Sequence, residues 1–166
     1  MKSWTLIAVP AALSLAGAAG WSAPGTAPDD AALDADMPVM PAAVDVAQGR
    51  SLYAATCASC HGPNLEGQPD WRSPGPDGRF PAPPHDETGH TWHHPDRVLF
   101  QYTKVGGQAA MALQGVEFDS DMPAFGEILT DQEIWNILAY IQTTWPGRTR
   151  AVQAERTEVD LANGGN

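Results

Sequence analysis

Three stretches of the chain repeat their apolar residues at the spacing of a helix buried along one face, and no strand-like alternation fills the long interval between the first two. In the first, Val46, Gly49, Leu52, Tyr53 and Cys57 recur at that spacing behind Asp45, which with Gln48 resembles a capping box. The second starts at Pro95, a residue suited to the first helical position, runs through Val98, Leu99, Tyr102 and Val105, and stops at Gly106-Gly107. The third opens on the strict capping box Thr130-Asp131-Gln132-Glu133, continues through Ile134, Ile137, Leu138, Ile141 and Trp145, and ends at Pro146-Gly147. An all-α domain with three main helices over residues 44–146 is expected, followed by a loose polar tail over 147–166.

The interval from Gly62 to His94 is rich in Pro and Gly, and so long a stretch without periodicity needs a reason inside a compact domain. A bound cofactor that the loop wraps would supply one. At the other end, Met1-Lys2 precedes a stretch from Leu6 to Ala19 that is apolar apart from Ser14, with small residues at Ala16 to Ala19. Residues 1–20 read as an export signal cleaved after Ala18 or Ala19; the rival is an uncleaved membrane anchor, which Pro10 and the run of Ala and Gly weaken. Either way the remainder faces outward, and a periplasmic location is expected. Residues 21–43, mostly Ala, Pro, Asp and Met, read as a flexible linker in which Met37 and Met40 are exposed, without the soft-metal role two methionines could in principle have.

The formal net charge is -11, and residues 1–20 hold only Lys2 among charged residues. Nucleic acid and anionic lipid are therefore poor partners for the main body, and contact with a membrane is expected only through an uncleaved anchor; a basic protein is a good partner. Between Val105 and Pro146 there is no Lys or Arg, whereas Glu117, Asp119, Asp121, Glu127, Asp131 and Glu133 fall there, an acidic set that would steer a basic redox partner; a solvated surface that keeps the protein soluble is the bland alternative.

Two cysteines are too few for a disulfide framework, and they stand in Cys57-Ala58-Ser59-Cys60-His61. Two thiols at that spacing can each add to a vinyl group on a porphyrin edge, and the adjacent His61 then sits beneath the iron. A dithiol redox motif belongs beside a βαβ pattern, which is missing here, and zinc would need His61 or members of the group His85, His90, His93 and His94 to complete four ligands. One covalently bound haem c is the expectation. For the second axial ligand, Met122 stands in Asp121-Met122-Pro123-Ala124-Phe125-Gly126, where proline stiffens a loop that would present the thioether. Met111 competes, but Ala109-Ala110-Met111-Ala112-Leu113 reads as a packed apolar segment, and a second histidine in place of Met122 is a further rival. With both axial positions filled by protein, the iron serves electron transfer rather than catalysis.

From about Asp45 to Trp145 the sequence looks like a class I cytochrome c, the small bacterial and mitochondrial family. Gly49-x-x-x-Tyr53 resembles the family's first helix, whose glycine allows a close crossing with the last; Tyr140 resembles the aromatic position of that last helix, and Met122-Pro123 the distal ligand loop. The resemblance implies three main helices and long loops around one haem whose edge is exposed, and a proline carbonyl, among Pro74, Pro76, Pro81, Pro83 and Pro84, that orients the proximal histidine. The segment Gly89 to His94 departs from that pattern; a metal site, hydrogen bonds from Trp92 or a histidine to the haem propionates, and a structural use such as His94 capping the Pro95 helix compete for it. Arg72, Arg79 and Arg97 are candidates to pair with propionates, and the protein is expected to be a monomer. A free or tethered electron carrier is the leading expectation, ahead of a haem relay subunit in a dehydrogenase or oxidase complex, and of a haem enzyme or gas sensor, which would need an open iron site.

Overall fold

A computed structural model of the protein describes residues 39–164; the signal or anchor expected over 1–20 and most of the expected linker lie outside the described residues. Six helices follow in order among the described residues: α1 Val46–Thr56, α2 Ala58–His61, α3 Asp96–Val105, α4 Gly107–Leu113, α5 Asp131–Thr143 and α6 Gly147–Ala162, with a 3-10 turn at Thr91–His93 before α3. No strand occurs among the described residues, so the fold is all-α.

The frame is the crossing of α1 over α5. At Gly49 the two backbones meet so closely that a Cβ there would lie 1.9 Å from the Asn136 carbonyl oxygen, so only glycine fits. Asn136 on α5 is 2% exposed and fully engaged: its Oδ1 accepts from the Asp45 N–H at 2.9 Å and from Gln132 Nε2 at 3.0 Å, while its Nδ2 donates to Gln48 Oε1 at 2.6 Å. The capping box expected at α1 is thus half local. Asp45 accepts from the Gln48 N–H at 2.9 Å, but the Gln48 side chain turns to Asn136 instead of back to Asp45, and the helix start is bolted to its partner helix. One turn on, Tyr53 on α1 meets Tyr140 on α5 with ring centroids 5.5 Å apart.

The capping box of α5 is complete, the Thr130 hydroxyl accepting from the Glu133 N–H and the Glu133 carboxylate from the Thr130 N–H. Ile134, Ile137, Leu138 and Ile141 are buried at the expected spacing, each contributing about 1.5–3 kcal/mol by leaving water. Trp135 is buried as well, because α3 packs on that side and stacks Phe100 on it at 4.4 Å. On α3 itself, Pro95 is the N-cap rather than the first helical residue, and Gly106 at φ 85° ends the helix.

Residues 147–162, expected as a loose tail, form helix α6, with Thr144 as the C-cap of α5 and Pro146 as the N-cap of α6. The stripe that α6 buries is polar. Gln153 is 4% exposed and donates to Asp96 Oδ1 at 2.7 Å; Thr157 Oγ1 accepts from the Asp96 N–H at 3.1 Å, and Asp160 pairs bidentately with Arg97 at 2.8 and 3.0 Å. Met40, expected in a free linker, is half-buried against the core, and its N–H donates to Asp96 Oδ2 at 3.2 Å.

Candidate functional site

Helix α1 delivers the thiol pair directly. Cys57 is its C-cap and, through its own carbonyl, starts the short α2, accepting from the N–H groups of Cys60 at 3.1 Å and His61 at 3.0 Å. Both thiols are free; Cys57 is half-buried against the core and Cys60 is exposed. Burial pushes the Cys57 thiol above its ordinary range, a hydrogen bond with Thr56 partly offsetting it. Gly62 then closes α2 at φ 83°, a conformation open to glycine, and its carbonyl accepts from the Tyr53 hydroxyl at 2.9 Å. The α1 helix thereby fixes the turn that follows the motif.

His61 is 8% exposed, and its Nδ1 lies 2.8 Å from the Pro83 carbonyl oxygen. A carbonyl only accepts, so Nδ1 carries the proton and Nε2 keeps its lone pair for a metal. Burial lowers the pKa of this imidazole, the Pro83 bond working against it, and the neutral form that ligates metals is favoured. Of the prolines that could orient the ring, Pro83 is the one that does, on the stiff Pro81-Ala82-Pro83-Pro84 segment, which is pinned by reciprocal 2.8 Å bonds between Gln68 and Ala82.

Behind His61 stands a residue whose place the sequence did not reveal. The His85 ring stacks on His61 with centroids 4.0 Å apart, its Nδ1 lies 2.9 Å from Thr91 Oγ1, and its carbonyl accepts from Trp145 Nε1 at 2.7 Å. Its backbone N–H donates to the carbonyl of Leu65 at 2.8 Å; Leu65 is buried at φ 67°, a strained value for a branched side chain. A motif at fixed spacing announces itself in the sequence, whereas a stacking partner beyond a long loop carries no local signal.

The Met122 segment is tied at both ends. The Met122 carbonyl accepts from the Gly107 N–H at the start of α4 at 3.0 Å, and the N–H groups of Phe125 and Gly126 donate to the carbonyls of Thr103 and Lys104 at the end of α3. The Met122 side chain is half-buried against the core. Met111, the competing methionine, is half-buried within α4, as its apolar setting leads one to expect.

The histidine-rich segment forms the 3-10 turn. His94 makes no cap to α3; its ring meets His90 edge-on at 5.6 Å, and Trp92 stacks on His93 at 3.6 Å while its indole N–H donates to the Glu87 carbonyl at 3.4 Å. Among the described residues no three His, Cys, Asp or Glu side chains converge as a metal site, so nothing gathers these histidines and the thiols into a zinc or copper centre. The three arginines are engaged within the protein: Arg97 with Asp160, Arg72 over the Trp71 ring at 4.0 Å and with the Thr88 carbonyl, and Arg79 with Asp119 at 3.0 Å and Asp121 at 2.7 Å. Of the six acids in the 105–146 stretch, Asp119 and Asp121 share the single charge of Arg79, Asp131 pairs with Lys104, and Glu133 serves the α5 cap.

The donor set fits a covalently held haem: two unpaired thiols at the motif spacing, an imidazole whose Nε2 is left available, and a methionine on a tethered loop. No curated protein and no solved structure was found to match the chain. Residues 46–145 match the family model described as Cytochrome c.

Proposed function

The chain belongs to the cytochrome c family, and from that premise we propose that it is a monohaem electron carrier with His61 and Met122 as axial ligands, working outside the cytoplasm. Bound haem c supplies a one-electron iron couple. The protein's part is to hold and tune it. Cys57 and Cys60 would anchor the group through thioether bonds, and His61 would ligate through Nε2, with its Nδ1–H directed at Pro83. Met122 would bring the second axial donor on its tethered loop; a thioether favours the ferrous state and raises the potential relative to a second histidine.

The observation that carries this reading is the bond from His61 Nδ1 to the Pro83 carbonyl, which sets the tautomer a proximal ligand requires, directly beside two free thiols. With both axial positions supplied by the chain, no open site is left for a substrate, and a carrier role follows rather than catalysis. A redox partner with a basic surface suits the acid excess, although the pairing of Asp119, Asp121 and Asp131 leaves Glu117 and Glu127 as the acids of that stretch without an ion-pair or capping partner among the described residues.

The test is an absorption spectrum of the exported protein, oxidised and reduced, with and without carbon monoxide. A covalently attached low-spin haem, a weak far-red band lost in Met122→Ala, and indifference to carbon monoxide are expected. Ready carbon monoxide binding, or a wild-type spectrum without that band, would refute the His/Met carrier.

A further inference from the structure

The loop that orients His61 and the loop that bears Met122 are joined to each other by side chains. Arg79 and Phe80 immediately precede the Pro81–Pro84 segment that holds the proximal histidine through Pro83. Asp119 and Asp121 lie just ahead of Met122. Arg79 spans the two: its Nε lies 3.0 Å from Asp119 Oδ2 and its Nη1 2.7 Å from Asp121 Oδ1, so one guanidinium grips both carboxylates by different nitrogens. Next to this, Phe80 stacks on Phe118 with centroids 6.1 Å apart and planes inclined by 24°, within the range in which aromatic pairs attract. Two successive residues of one loop thus engage three residues of the other.

The two sides differ in stiffness. The Arg79 side is proline-rich and locked by the Gln68–Ala82 pair. On the other side, residues 112–117 are all exposed, and the Met122 segment is fixed at the Gly107–Met122 bond and by the bonds of Phe125 and Gly126 to the end of α3. Upstream of Met122, Ser120 lies against Gly107 at the start of α4, and Arg79 and Phe80 add the contact to the loop that orients His61.

We propose that Arg79, with Phe80, is a positioning residue that clasps the distal loop and slows the departure of Met122 from the iron. The proposal rests on Met122 being the distal ligand. The ion pairs are exposed, with side chains 41%, 61% and 66% accessible, so salt weakens the clasp. Met122 release should therefore quicken as ionic strength rises, which a buried latch would not show.

The experiment follows displacement of the distal ligand by imidazole in the oxidised haem-loaded protein, read from loss of the far-red band, at low and high salt. Wild type is compared with Arg79→Ala, Arg79→Lys, the isosteric pair Asp119→Asn/Asp121→Asn, and Met122→Ala. Both the alanine variant and the aspartate pair should exchange about threefold to tenfold faster than wild type at low salt, as two exposed ion pairs of ordinary strength would give. Both should lose the salt dependence, and Arg79→Lys should recover part of the slow rate. A far-red band that persists in Met122→Ala overturns the ligand assignment and the clasp together. A band lost there, with the aspartate pair exchanging at the wild-type rate, overturns the clasp alone. So does faster exchange in Arg79→Ala without it in the aspartate pair, since Arg79 would then act on another group such as a haem carboxylate.

Discussion

The imidazole of His85 lies nearly parallel to that of His61, centroids 4.0 Å apart and planes inclined by 26°, so the ring read as the proximal ligand is held at its edge by Pro83 and on its face by a second histidine. An in-plane hydrogen bond alone leaves the ring free to rock about that bond. A stacked neighbour, itself held by Thr91 and Trp145, removes this freedom.

His85→Leu keeps most of the bulk but removes the flat face and the bond to Thr91. The haem-loaded variant should retain its far-red band while its electron paramagnetic resonance g-values and haem-methyl proton shifts move, because both report the axial imidazole plane. A stability loss of about 1–3 kcal/mol should accompany this, from imperfect packing and from a Thr91 hydroxyl left with only its long bond to the Pro84 carbonyl. Unchanged spectra would show that Pro83 suffices to set the ring.

Mild acid should weaken the fold through its histidines. Burial holds the His85 imidazole well below the ordinary histidine range, with His61 and His90 adding to the effect; partial desolvation also lowers His94 and His90, whose rings keep an exposed side. A histidine depressed by folding binds fewer protons in the folded than in the unfolded chain once the pH falls below about 6.5, so stability declines as pH drops through that value and is regained above it. Urea unfolding of the haem-loaded protein should show a lower midpoint at about pH 5 than at about pH 7.5, and His90→Gln/His94→Gln should narrow the gap. Glu133, lowered by its bonds to Thr130, keeps its stabilising contribution above about pH 4.5 and loses it in the more acidic window below.

Gly49→Ala places a methyl group against the Asn136 carbonyl, a backbone atom that cannot rotate aside. The α1–α5 crossing must widen, loosening Tyr53 against Tyr140 and the Gln48–Asn136 bond. A loss of about 2–4 kcal/mol is expected, read as a fall in thermal midpoint. A change under about 1 kcal/mol would mean that the crossing is more pliable than its geometry implies.

Thr130→Ala removes the hydroxyl that accepts the Glu133 N–H and should cost about 1 kcal/mol. Asp160→Asn breaks a pair only 11–12% exposed and should cost on the order of 2 kcal/mol, less than a wholly buried pair because an edge stays wet. Denaturant melts of the two variants would rank the α5 cap against the α6 anchor.

How much of this was legible beforehand depended on whether the buried positions were apolar. The apolar stripes of α1 and α5, the caps at Asp45 and Thr130, and the spacing of Cys57, Cys60 and His61 all have local signatures; the helices and caps stand as read, whereas on α3 the buried residues are Asp96, Phe100 and Thr103 and the expected stripe of Val98, Leu99, Tyr102 and Val105 is only half-buried. Helix α6 was missed because its buried stripe, Thr149, Gln153 and Thr157, is polar and gives no hydrophobic period. Helix α4 was missed because paired glycines read as a stop also begin the next helix. The histidine segment misled in a different way. Both His85 and His94 lie in the long interval that lacks periodicity, yet one stacks on the His61 ring and the other meets His90 edge-on, a distinction set by tertiary contacts.

The carboxylate of Asp96 receives the Met40 N–H, Gln142 on α5 and Gln153 on α6, while its own N–H goes to Thr157. Parts of the chain that are distant in sequence share one buried acid, so none can open without stranding the polar groups of the others. The C-terminal helix is therefore part of the same cooperative unit as α5 rather than an appendage that frays first. Its amides should show hydrogen-exchange protection close to that of the core, disappearing in the same global event.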